Sequence, residues 1–166
     1  GGKPLLWKSG HSHIKTKMAE LGAPLAGEMS AHIFFKHKYY GYDDALYASI
    51  RLLSIIASGE KTLSEIYDEL PTLINTPEIR IDCQDDQKFV IVDKVRKDLR
   101  TNGDSEVNDI DGVRVTNKDG WWLLRASNTQ PALVARCEST TEKGLLRLKE
   151  NLIKLLSEFD VKLTNI

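Results

Sequence analysis

The stretch "GVRVTNKDGWWLLRASNTQPALVARCESTTE", Gly112–Glu142, decides the fold class. It holds three runs of strand composition, GVRVTN, GWWLLRAS and ALVARCES. NKDG, Asn117–Gly120, joins the first two as a hairpin turn, because an Asp-Gly pair accepts the positive φ that a tight turn needs. STTE, Ser139–Glu142, is a capping box, and the helix it opens lays down Leu145, Leu146, Leu148, Leu152, Leu155, Leu156 and Phe159. Upstream, Glu78–Cys83 (EIRIDC) reads as a strand. Asp85-Asp86 then cap a helix with Phe89, Val92, Val95 and Leu99 on its apolar face and Asn102-Gly103 as its end. Strand, helix, three strands, helix is an α+β unit.

Further out, PTLINTPE (Pro71–Glu78) carries two prolines between helix and strand and reads as a linker. A boundary near Asn75 divides the chain into domains 1–75 and 76–166. The first half reads as a short strand over Pro4–Trp7, a helix over His11–Gly22 with Ile14, Met18 and Leu21 on one face, and a strand over His32–Phe35. Asp43 or Asp44 caps a second helix with Leu46, Ile50, Leu53 and Ala57 at helical spacing. A capping box at Thr62–Glu65 opens a third, which stops near Pro71. Two strands for three helices is a thin supply for an α/β sheet, whose open edge is a liability. Either a partner covers that edge or the chain is a piece of something longer; the second reading is favoured.

Over 166 residues, 41% are hydrophobic and 28% charged, a globular balance, and the net charge is −1. That charge, without aromatic-basic clustering, argues against a nucleic-acid binder, and no apolar run approaches a membrane span. Cys83 and Cys137 lie far apart without C-x-x-C spacing and read as reduced thiols of a cytoplasmic protein. NDIDG (Asn108–Gly112) is rejected as a calcium loop, since Val107 would stand first and Lys118 twelfth. Neither a G-x-x-x-x-G-K phosphate loop nor a G-x-S-x-G elbow occurs.

Three polar loops remain. In RASNTQP (Arg125–Pro131), Arg125 offers a planar cationic fork, Ser127, Asn128 and Thr129 offer two hydroxyls and an amide, and a turn's N–H groups can converge on an anion. An ordinary polar hairpin loop would use the same residues. In GEMSAH (Gly27–His32), Glu28, Ser30 and His32 suit the donor-and-acceptor hydroxyls of a sugar, against the plainer alternative of a solvated Glu at a turn. In KSGHSHIK (Lys8–Lys15), His11 follows a glycine at a helix start, where a protonated imidazole can face an anion. A metal held by His11 and His13 lacks a further ligand at suitable spacing, so no metal residue is assigned.

Together GHSHIK, GEMSAHIFF with GYDDALYASIRLL, and RASNTQPALVARCE resemble the bacterial phosphomannomutase/phosphoglucomutase enzymes of the phosphohexomutase superfamily, along essentially the whole chain. The resemblance implies an incomplete α/β/α sandwich, the latter part of a third domain, followed by a TATA-binding-protein-like α+β fourth domain. It implies an isomerase that interconverts hexose 6-phosphate and hexose 1-phosphate through a hexose 1,6-bisphosphate, with Mg²⁺ and a phosphoserine in N-terminal domains that are missing here. It assigns sugar binding to Glu28, Ser30, His32 and His11, and phosphate binding to Arg125, Ser127, Asn128 and Thr129. Arg136 is a supporting charge at most, and Lys15 matches the motif without a contact. The two loops would hold opposite ends of the substrate, with a hinge near Asn75. No catalytic residue and no metal ligand falls within the chain, which by itself is expected to be inactive. The rival is a stand-alone sugar-phosphate-binding module. One departure is Ala31, where the family's loop carries Gly; at positive φ its methyl group would cost about 1 kcal/mol.

Overall fold

In the computed structural model, which describes residues 2–102, 106–161 and 163, the chain divides into two units, Gly1–Pro71 and Thr72–Ile166. In the first unit, α1 (His11–Leu21) ends at Gly22, whose φ of 62° only glycine adopts at little cost. Beyond it, β1 (Leu25–Gly27) and β2 (Ile33–Phe35) form an antiparallel hairpin, with Gly27 opposite Ile33. Ile14 and Met18 of α1 pack on Phe34, the core of this unit. Leu21, expected on the same face, is exposed.

Asp44 caps α2 (Ala45–Ser58) by accepting the Tyr47 N–H, and it also accepts the Tyr39 hydroxyl. Those two bonds, the hydroxyl's first, hold the Asp44 carboxyl below its ordinary range. The stripe Leu46, Ile50 and Leu53 is exposed along its length, and α2 buries no residue. A two-stranded hairpin of three residues per strand is too narrow to cover a helix of fourteen. In α3 (Leu63–Asp68) both halves of the capping box form: Thr62 Oγ1 accepts from Glu65 N–H and the Glu65 carboxylate from Thr62 N–H. The expected strand over Pro4–Trp7 is absent: these residues are exposed and pair with no strand.

In the second unit, β3 (Ile74–Asn75) and β4 (Ile79–Asp82) precede α4 (Asp85–Asn102); β5 (Glu106–Asn108), β6 (Val113–Asn117), β7 (Gly120–Ala126) and β8 (Ala132–Ser139) precede α5 (Glu142–Ser157). The antiparallel order is β3-β8-β7-β6-β5, and β4 also pairs with β8. The stretch read as a linker therefore holds a strand. β3 and β4 form one interrupted edge: Ile74 faces Ser139 and Ile79 faces Ala135, so this edge carries one residue more than β8 does. Pro77, which lacks an N–H, sits in the break. The extra residue keeps Ile74, Ile79 and Ile81 on one side of the sheet despite their odd spacing.

That side alternates cleanly. Val113, Val115, Trp122, Leu124, Leu133, Ala135 and Cys137 point to Ile91 and Val95 of α4 and to Leu145, Leu148, Leu152 and Leu156 of α5. Phe89 of α4 and Leu146 of α5, both expected inside, are more than half exposed. Thr141, not Ser139, caps α5, accepting Gly144 N–H; Ser139 instead donates to Asp119 O. Strand β5 had no clear signal, and Gly103 lies outside the described residues. Both cysteines are free, and burial pushes the Cys137 thiol up to about 11. Among the described residues no helix is long and apolar enough to cross a membrane.

The sheet's other side, away from α4 and α5, carries Arg114, Trp121, Leu123, Arg125, Arg136 and Glu138, half-buried and one step out of phase with the core. The helices thus consume one face and leave Arg125 on the other.

Candidate functional site

The hydroxyl-binding candidates sit on the β1–β2 hairpin and the start of α1. Glu28 to Ala31 closes a turn, with Ala31 N–H donating to Glu28 O at 3.0 Å and Glu28 N–H to His32 O at 2.9 Å. Ala31, the turn's last residue, has φ 68°, the conformation a glycine would take without strain. Glu28 Oε1 accepts the Gly10 N–H at 2.7 Å. Gly10 is the cap of α1 and has no side chain to do this work itself, so Glu28 places its charge at the positive end of that helix. This bond ties the GHS and GEMSAH motifs together and fixes His11, first residue of α1, next to the turn. His32 Nδ1 meets Asp43 Oδ2 at 2.6 Å, and because a carboxylate only accepts, Nδ1 is the donor of this bond and Nε2 is turned away from it. Asp43 was seen in the sequence only as a cap candidate; its role toward His32 needed the fold. Ser30, His11 and Lys15 are exposed.

The phosphate-binding candidates lie on the β7–β8 connection. Ser127 N–H donates to Ala132 O at 2.9 Å and closes the loop. Ser127 Oγ accepts from Thr129 N–H at 3.4 Å and Gln130 N–H at 3.2 Å, and the residue is buried. Ser127 therefore shapes the turn from inside, while Asn128 and Thr129 are exposed. The side chain of Arg125, half-buried on the helix-free face, makes no hydrogen bond or ion pair among the described residues. Gly112 (φ 78°) lies against it: a Cβ there would stand 2.6 Å from Arg125 Cβ and 2.3 Å from Leu124 O. Arg136 is nearly buried, with Glu138 3.7 Å away and its Nε unpartnered. Gln130, exposed at the loop's far shoulder, is held by two residues outside the loop: its side chain accepts from Arg80 and its carbonyl from Lys88. Neither Arg80 nor Lys88 had a sequence signal linking it to the loop.

The relationship of the chain to known proteins follows these motifs. The phosphoglucomutase/phosphomannomutase alpha/beta/alpha domain III matches residues 1–74, and the phosphoglucomutase/phosphomannomutase C-terminal domain matches residues 78–155. The chain belongs to the phosphoglucomutase/phosphomannomutase family. A phosphomannomutase/phosphoglucomutase of Pseudomonas aeruginosa is 46% identical over 149 residues, 90% of this chain and 32% of the relative. A phosphoglucomutase of Neisseria gonorrhoeae is 41% identical over 150 residues, again 90% of this chain and 32% of the relative. The crystal structure of a phosphoglucomutase/phosphomannomutase family protein from Burkholderia thailandensis superposes with a TM-score of 0.85 at 44% identity, covering 95% of this chain and 33% of that one. The chain thus spans about a third of the length of the relatives it matches. The fold class implied by the sequence resemblance, a third-domain segment followed by the fourth domain, holds.

Ala31 holds, at φ 68°, a left-handed conformation that glycine adopts without strain. Ala31→Gly is therefore expected to stabilise the first unit by about 1 kcal/mol, the relief of a left-handed alanine less the entropy of a freer unfolded chain. Urea unfolding checks it; an unchanged or lower midpoint would show that the turn carries no such strain. For Mg²⁺, the described residues hold no group of three His, Cys, Asp or Glu able to share an ion. The donor set does not fit a metal, and no step is assigned to one in these two units.

Proposed function

We propose that this chain is the substrate-gripping part of a phosphohexomutase that interconverts hexose 6-phosphate and hexose 1-phosphate, of mannose or glucose, through the 1,6-bisphosphate. The reading rests on one observation above all: a guanidinium without a partner among the described residues, on the helix-free face, at the foot of a turn whose backbone is fixed from within by Ser127. Arg125 takes a phosphate as a bidentate fork, and the Thr129 hydroxyl and Asn128 amide add neutral donors. Ser127 keeps the turn's shape, so its contribution to binding is chiefly orientation.

In the first unit the Glu28 carboxylate, already oriented by the Gly10 N–H, accepts from sugar hydroxyls. Ser30 gives or takes one such bond, and His32 presents Nε2 while Asp43 holds its ring. His11 stands beside this turn as a further donor. A bisphosphorylated intermediate has phosphate at both ends, so one anion seat serves each orientation in turn. The phosphoserine and the Mg²⁺ ligands are assigned to N-terminal domains of the same enzyme, working in the cytoplasm; this chain alone binds and does not turn over.

Calorimetry with five ligands tests the reading. Glucose 1-phosphate, mannose 1-phosphate and glucose 1,6-bisphosphate should bind more tightly than inorganic phosphate, and free glucose should not bind measurably. Equal affinity for inorganic phosphate and hexose phosphates would remove the first unit from the reading; no heat with any anion would remove the second.

A further inference from the structure

We infer that Lys88, on α4, is a positioning residue for the Arg125–Pro131 anion loop, holding its far shoulder at Gln130. The inference rests on the proposed role of that loop and deepens it. Lysine is rarely buried unless paired, yet Lys88 is only 5% exposed. Its ammonium donates to Asp85 Oδ1 at 2.6 Å, one turn back on the same helix, and to Gln130 O at 2.9 Å, forty-two residues on. Asp85 is largely exposed and neutralises the charge. The second bond is the one with a consequence for the loop.

Gln130 O already accepts Ala132 N–H at 2.8 Å, so Lys88 supplies the second lone pair's partner. Gln130 N–H goes to Ser127 Oγ at 3.2 Å, and the Gln130 side chain goes to Arg80. The next residue, Pro131, restricts Gln130 to extended backbone and offers Cys83 N–H its carbonyl at 3.0 Å. Both polar atoms of Gln130's backbone thus have partners within the protein, and Lys88 is the charged partner of that backbone as Arg80 is of the side chain. With that shoulder fixed, Asn128 and Thr129 at the tip have a defined place relative to Arg125. A lysine serving only the stability of α4 would be satisfied by Asp85 in solvent and would not extend across to the loop.

The test compares the 166-residue chain with Lys88→Met and Lys88→Arg, using inorganic phosphate and glucose 1-phosphate as probes. NMR titration gives affinity, amide exchange at Thr129 and Gln130 gives loop rigidity, and thermal unfolding gives stability. Lys88→Met should bind both probes about tenfold more weakly and exchange those amides faster, without matching loss of protection in α5. Lys88→Arg, which keeps a charged donor, should recover most of the affinity. Wild-type affinity in Lys88→Met, or no recovery in Lys88→Arg, would overturn the inference. If Lys88→Met does not fold, Lys88→Gln replaces it: the side chain fills the space, stops short of Gln130 O, and should show the same loss. An unaltered chain that binds neither probe would overturn the proposed function instead.

Discussion

Arg125→Met is expected to weaken binding of glucose 1-phosphate about 10- to 100-fold while leaving the unfolding midpoint of the second unit nearly unchanged. Hydrogen bonds to a charged group contribute roughly 1.5–3 kcal/mol, and a factor of ten is about 1.4 kcal/mol. Nothing in the fold depends on the guanidinium, since it makes no hydrogen bond or ion pair among the described residues and lies on the sheet face that the helices leave uncovered. The methylenes of methionine keep the local packing. Arg125→Lys should recover only part of the loss, because an ammonium supplies charge without the planar fork. Calorimetry alongside thermal unfolding separates the two effects. An Arg125→Met chain that binds like the unaltered one would remove Arg125 from the site.

Gly112→Ala is expected to destabilise the second unit by about 2–5 kcal/mol, combining a left-handed alanine at roughly 1–2 kcal/mol with overpacking at roughly 1–3 kcal/mol. The added methyl would stand 2.3 Å from Leu124 O, a main-chain atom in the middle of β7 that cannot swing aside. It would also press on Arg125 Cα at 2.7 Å, so any chain that still folds should bind phosphate less well. Urea unfolding followed at a methyl resonance of Leu124 or Leu148, both in this unit's core, reads the effect there alone. A loss below about 0.5 kcal/mol would mean that the β6–β7 approach is looser than described.

The second unit was legible in the sequence because its signals are local and agree with one another. NKDG does form the β6–β7 turn, the alternation through GWWLLRA puts Trp122 and Leu124 inside, and the leucines of α5 recur at helical spacing. Errors fell where a partner distant in sequence decides the outcome. Ile74–Asn75 looks like linker because it stands between two prolines, and only the open edge of β8 makes it a strand. Phe89 fits the apolar period of α4, but the residue that reaches the sheet is Ile91. Pro4–Trp7 and the stripe on α2 show the converse, apolar patterns that stay exposed among the described residues.

At the candidate site, residue types marked Glu28, Ser30, His32, His11 and the RASNTQP loop as candidates beside plainer alternatives, and binding roles for them were only what the resemblance implies. What each of them touches was not readable. The Gly10–Glu28 and His32–Asp43 contacts join positions eighteen and eleven residues apart, and the Lys88–Gln130 contact joins positions forty-two apart. Ala31 is intermediate: the resemblance implies a glycine there, but the φ of 68° needed the turn.

The account stands on the β7–β8 turn being a seat for a sugar's phosphate. The direct measurement is an NMR titration of the chain with glucose 1,6-bisphosphate, following the Arg125 side-chain Nε–H and the backbone amides of Ser127 to Thr129. Saturable shifts at all of these, below millimolar ligand and fading as salt is raised, are the predicted result. Resonances that stay still at millimolar bisphosphate, in a chain shown by the same spectra to be folded, would contradict it.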